Sequence, residues 1–308
     1  MSLSKLFVSA LLISACQPTL AQEQRETSKP AAVYHIPFQL TAYNNMSVQA
    51  VLNKKDTVHL MFHTAASAVT LIEVTTQRLN SLHFEGTDTV KSWGGASNFS
   101  RFSRNNVLQI GQMEWTGVPI GENKNSGQFT DGKFGTDLFQ NKVIEIDFEK
   151  GVIKVLAALP ANTRKYEKLK LTFDNDMLFL EAECQIGKAT FKNKFLIHSG
   201  YAGAILFDDK FASETNIGEN LPIISTKELK DSYGNVLKTQ KAILPTLKIG
   251  NAALSDVPVG FFQGAIGRQK MSVMGGDILK RFNIIIDAQR EYVYLKPNKL
   301  AKQKYTDI

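Results

Sequence analysis

Short runs of alternating apolar and polar residues cover most of the chain. "KLKLTF" (168–173) alternates with the period of two that marks a strand, and "MLFLEAE" (177–183), "TFKNKFLI" (190–197) and "PTLKIG" (245–250) are short apolar-rich runs that read as strands too. "VIEIDF" (143–148), "GVIKVL" (151–156) and "FNIIID" (282–287) are rich in β-branched residues and read the same way. Turn signals separate them, among them "DND" at 174–176, "YGN" at 233–235 and "IGNAAL" at 249–254. Helical periodicity is scarce. It predicts short helices over 72–82 and 208–215, and one turn over 278–281. The pattern is all-β with a few short helices.

The pattern also repeats. "HLMFHTAASAVTL" (59–71) and "FLIHSGYAGAILF" (195–207) share one order: apolar run, His, Thr or Ser, small residues, second apolar run. His63-Thr64 in the first matches His198-Ser199 in the second. "VLQIGQMEWTGVPIG" matches "TLKIGNAALSDVPVG", pairing Gly111 with Gly250 and Pro119 with Pro258 at one common offset. "FGTDLFQNKVIEIDFEKGVIKV" matches "MGGDILKRFNIIIDAQREYVYL", pairing Asp137 with Asp277 and Asp147 with Asp287, again at one common offset. Three blocks in one order at near-constant spacing indicate two copies of one β unit. A pseudo-twofold pair of such units would set equivalent loops against each other.

Together these blocks resemble the bilobal aspartic peptidase family, the pepsin and retropepsin-like clan, in a bacterial exported form. The resemblance implies an all-β, two-lobe double-ψ β-barrel fold with a pseudo-twofold internal repeat and a few short helices. It implies a first lobe over 33–160 and a second over 161–300. Each lobe of that family carries an Asp-Thr/Ser-Gly loop between apolar strands, then a flap hairpin, then an apolar-Gly motif. The departure lies at the catalytic positions, where His63 and His198 replace both aspartates. Thr64, Ser199 and Gly200 keep the loop pattern, while Ala65 replaces the first glycine. The resemblance further implies that the Thr64 and Ser199 hydroxyls clamp the opposite loop. It assigns flap roles to Trp93, Gly94 and Gly95 in the first lobe, and to Tyr233 and Gly234 in the second.

The family's chemistry uses two carboxylates about 3 Å apart that share one proton. Two imidazoles lack the anionic charge that makes a water basic, and two imidazolium cations so close would repel. Three readings of the histidine pair follow. One is a pseudoprotease that keeps the peptide cleft and has lost two-Asp proteolysis. Another is a hydrolase or peptidase that uses His63 and His198 as general acid and base. The third is a zinc or copper site on the same two residues, although no third ligand is evident in sequence. His35, His59 and His83 belong to no motif. Asp137 and Asp277 read as structural residues, Asp147 and Asp287 as turn residues, and Asp208 as a helix cap.

Composition narrows the surroundings. The chain has 308 residues, is 43% hydrophobic and carries a formal charge of +7. Its basic residues are spread out, with small clusters at 164–170 and at Lys299, Lys302 and Lys304, and none interleaves with aromatics as a nucleic-acid groove requires. This argues against a nucleic-acid partner, while the resemblance implies an extended peptide or protein segment as partner; no required cofactor and a monomeric chain are expected. Lys5 and the apolar stretch 6–15 read as an export signal. It would be cut after Ala21, or processed at a lipobox so that a lipidated Cys16 tethers the protein to the membrane. A polar linker would follow over 22–32 and a basic tail would close the chain over 301–308. The implied location is the periplasm, the lipid-anchored envelope or the medium. Cys16 and Cys184 are the only cysteines, so export brings no disulfide framework, and Cys184 reads as a buried core residue.

Overall fold

The structure is a computed structural model that describes residues 33–91, 97–127, 129–230, 236–262 and 269–306. The alternating runs close into two barrels. In the first lobe the ring runs through Met46–Leu52, Asp56–Phe62, Gly132–Phe134, Val69–Ile72, Met113–Asn123 and Ser97–Ile110. It closes because Met46–Leu52 pairs with both Asp56–Phe62 and Ser97–Ile110. The second ring runs through Met177–Ile186, Ala189–His198, Ser272–Gly275, Ile205–Leu206, Ala252–Phe262 and Val236–Ile249. Met177–Ile186 closes it by pairing with Val236–Ile249. Matching strands pair in matching senses. Asp56–Phe62 runs parallel to Gly132–Phe134, as Ala189–His198 does to Ser272–Gly275. Closure removes the exposed edges that open sheets of this length would present.

The lobes are joined by a sheet that takes strands from both. Val143–Asp147 pairs antiparallel with Phe282–Ile286, and the register is reciprocal: Ile144 faces Ile286, Glu145 faces Ile285 and Ile146 faces Ile284. The pseudo-twofold axis therefore passes between Glu145 and Ile285. Every residue of both strands is buried, which explains why they read as apolar runs and not as alternation. Glu145, buried on the axis, is matched by the Lys154 ammonium at 2.8 Å.

Helices are shorter than their periodicity predicts. The first spans Glu73–Arg78, because Leu79 turns extended and the Asp56 carboxylate takes the Ser81 N–H at 3.0 Å and its hydroxyl at 2.5 Å. The second spans Asp209–Glu214, with the Asp208 carboxylate accepting from the Phe211 N–H as its N-cap. The late turn spans Gly276–Leu279, two residues earlier than expected. Asp147 and Asp287 do fold turns: each accepts two backbone N–H groups through Oδ1.

The repeat is broken behind the barrels. Asp277 is ion-paired to Lys280 at 2.9 Å and to Arg281 at 3.4 Å, with all three buried. Gln140 and Asn141 stand at the matching places in the first copy, so Asp137 lacks both cations and burial pushes its carboxyl pKa up. Residues 301–306, expected as a basic tail, fold back onto the second lobe. The Arg281 guanidinium donates to the Ala301 and Gln303 carbonyls and lies 3.7 Å from the Tyr305 ring, and the Thr306 N–H donates to Asp277. A buried arginine needs carbonyl acceptors, and the chain end supplies them.

Candidate functional site

Strand alternation decides what faces the space between the barrels. On Asp56–Phe62, Leu60 and Phe62 enter the core while His59, Met61 and then His63 line the cleft. His198 ends the matching strand of the second lobe. The two loops that follow meet through four buried hydrogen bonds. The Thr64 hydroxyl donates to the Ile197 carbonyl at 2.6 Å and the Ser199 hydroxyl to the Phe62 carbonyl at 2.7 Å. The Thr64 N–H donates to Ser199 Oγ, and the Ser199 N–H to Thr64 Oγ1, both at 3.0 Å. Thr64 and Ser199 are each 1% exposed, so these bonds form without competition from water.

This clamp holds the imidazoles edge to face, with ring centroids 4.5 Å apart and planes inclined by 63°. His63 lies directly over Gly200: a Cβ there would come within 2.2 Å of His63 Cδ2. The Ala65 N–H donates to His63 Nδ1 at 3.1 Å, which leaves the ring proton on Nε2. His198 is held differently. Its Nδ1 is buried and has no hydrogen-bond partner among the described residues.

Electrostatics keep the pair neutral. Burial drives the His63 pKa well below the ordinary value, and His198 and then Lys133 add to this. Burial followed by Lys133 pushes His198 down to about 4. Lys133 is a site residue that motif reasoning does not single out. It sits in the three-residue strand Gly132–Phe134, paired with Met61 on one side and Thr70 on the other, and it lines the cleft with both histidines. Burial lowers its pKa too. The repeat holds a signal. At the offset that pairs Asp137 with Asp277, Lys133 matches Val273, so a cation occupies a place that the second copy fills with an apolar side chain. Tyr201 is a second such residue. It packs on Leu206 and Val273 at the cleft, and burial pushes its hydroxyl up to about 12.

The cleft encloses about 1790 Å³ between the lobes. Its carboxylates include Asp131, held by Arg78, Thr75 and the His59 N–H, and Glu122, held by Arg101 and Thr76. Asp131 bonds at the level of His59, four residues before His63 and so roughly 13 Å up the strand. It lies too far from His63 to act with the histidine pair. His59 lines the same wall on the cleft face. Among the described residues no three His, Cys, Asp or Glu side chains converge as a metal set would require.

Trp93, Gly94, Gly95, Tyr233 and Gly234 lie outside the described residues, as does Cys16. The strands that flank the first two groups are described. Gly86–Lys91 pairs with Ser97–Ile110, and Ile223–Lys230 pairs with Val236–Ile249. Cys184 is fully buried in the second barrel, where burial raises its thiol to about 12.

Two closed barrels, a six-stranded sheet between them and a reciprocal clamp under the cleft form a recognisable architecture. The aspartic proteinase from Irpex lacteus shares it, with a TM-score of 0.59 over 88% of this chain and 99% of that one. The fold is that of a pepsin-like aspartic proteinase. Sequence identity to that enzyme is 13%, so the likeness concerns architecture alone. No family model matches the chain, and neither does any curated protein sequence.

Proposed function

We propose that this is an exported protein of pepsin-like fold that has lost two-Asp proteolysis and binds an extended peptide segment between its lobes. The observation that carries the reading is the pair His63 and His198 on the cleft floor, both held neutral, with a lysine on the same floor and, among the described residues, no carboxylate beside them. Water activation by a shared-proton carboxylate pair needs an anion at that point. Among the described residues, the groups there are neutral or cationic.

A cleft of about 1790 Å³ lined by strand residues of both lobes suits a ligand in extended conformation. The N-terminal leader supports export to the periplasm, with either a free chain from residue 22 or a lipid tether on Cys16. The Lys133 charge disfavours a metal cation on the two histidines.

The test is to incubate the purified chain from residue 22 with a mixed peptide library between pH 3 and 8, measuring retention and cleavage together. Retention of intact peptides is the expected result. Cleavage that disappears in the His63→Ala, His198→Ala double variant would replace this reading with a His-dependent hydrolase. Zinc or copper bound stoichiometrically, and lost in the same variant, would replace it with a metal site.

A further inference from the structure

We propose that the floor of the cleft is a carboxylate-binding site, in which Lys133 with His63 and His198 holds the side chain of an acidic residue carried by the bound peptide. The peptide that carries the carboxylate rests on the reading above. The anion site itself rests on the floor's own chemistry.

Three observations converge. Lys133 is a half-buried cation lining the cleft, and its charge reaches both imidazoles. Among the described residues it makes no hydrogen bond or ion pair, whereas Arg78 and Arg101 on the same side of the cleft are each matched to a carboxylate. A partly desolvated ammonium with no protein partner favours an anionic ligand. The second observation is donor capacity. His63 carries its proton on Nε2, and His198 Nδ1 is buried without a partner among the described residues. His198 Nδ1 is enclosed, so the ring reaches a ligand through Nε2; in the Nε2–H form His198 also donates, and the floor offers an ammonium and two N–H groups.

The third observation is that, among the described residues, no carboxylate is ion-paired to Lys133. Asp131 and Glu122 are spent on Arg78 and Arg101, and Asp277 on Lys280 and Arg281. A ligand carboxylate would occupy the region where two aspartates would stand in an active enzyme of this fold. The site would thus take from its ligand the negative charge that its own sequence lacks. A carboxylate suits a floor with one ammonium and two neutral donors, since its single charge is balanced by Lys133 alone.

The experiment uses the chain from residue 22 at pH 7 and two fluorescein-labelled pools of acetylated, amidated nonapeptides. One pool has Glu at its centre and the other Gln, and binding is read by anisotropy. The Glu pool is expected to bind at least tenfold tighter. Lys133→Met should abolish the preference of the Glu pool over the Gln pool, and Lys133→Arg should retain it. Circular dichroism of each variant checks folding, and the apolar Val273 at the matching position indicates that Met is tolerated there. A second arm titrates sodium acetate and follows the His63 and His198 ring protons by NMR.

Equal binding of both pools, unaltered by Lys133→Met, overturns the carboxylate site and leaves the peptide cleft standing. No binding of either pool, with acetate still shifting both histidines in the wild type but not in Lys133→Met, overturns the peptide cleft and leaves the anion site standing. No binding with no acetate shift overturns both.

Discussion

Ser199→Ala removes one oxygen and breaks two of the four bonds that clamp the loops together. The Phe62 carbonyl loses its donor and the Thr64 N–H loses its acceptor. Both groups are buried, and the substitution puts a methyl where a hydroxyl was, so neither finds a new partner. An orphaned buried polar group costs about 1–3 kcal/mol, so two cost roughly 4 kcal/mol. For a chain of this size, 1 kcal/mol moves Tm by about 2–4 °C, so the expected fall is about 8–16 °C. Thr64→Val orphans a different pair, the Ile197 carbonyl and the Ser199 N–H, at similar cost. The double variant should fall well short of the sum, because a clamp opened by the first substitution lets water reach all four groups. Calorimetry of the two single variants and the double supplies the cycle. A fall below about 2 °C for Ser199→Ala would refute the reciprocal clamp, and strict additivity would refute its cooperativity.

Acidification tests the histidines. Both have folded pKa values below the ordinary value of about 6.5, so between pH 6.5 and about 4 the unfolded chain takes up protons that the folded chain refuses. Stability present above pH 6.5 should therefore fall with pH, at up to about 1.4 kcal/mol per unit for each histidine. A His63→Gln, His198→Gln variant should show a flatter denaturant midpoint from pH 7 to 5, and an equal slope in both proteins contradicts the neutral pair. Gly200→Ala drives a methyl into the His63 ring and should cost about 1–3 kcal/mol. Adding His63→Ala should recover most of that loss in a thermal-shift cycle, and no recovery would separate the glycine from the histidine. Cys184, fully buried with its thiol raised to about 12, should resist iodoacetamide in the native protein and react in denaturant, as mass spectrometry can show.

Much of the architecture is legible because it is written in local periodicity. Alternation locates the strands, and the repeat spacing pairs each element of one lobe with its partner in the other. The same spacing flags His63 and His198 together and sets Thr64 against Ser199. Helix ends are less legible. The residues that stop a helix, such as Asp56 capturing Ser81, come from another part of the chain. Lys133 is hidden for a similar reason, since one lysine in "GKFG" looks like surface until the barrel turns it into the cleft.

The sequence by itself determined where the strands lie along the chain, the duplication and the placing of histidine at both matched loop positions, because these depend on which residue types recur at which interval. Only the tertiary structure decided what those residues became. Segments more than a hundred residues apart meet at the floor, and burial there makes both histidines poor bases. It also leaves Lys133 without a counter-charge among the described residues, and leaves Asp137 without the cations that Asp277 keeps. Protonation and charge balance follow from who is buried beside whom, and that is settled by long-range packing that the local pattern does not encode.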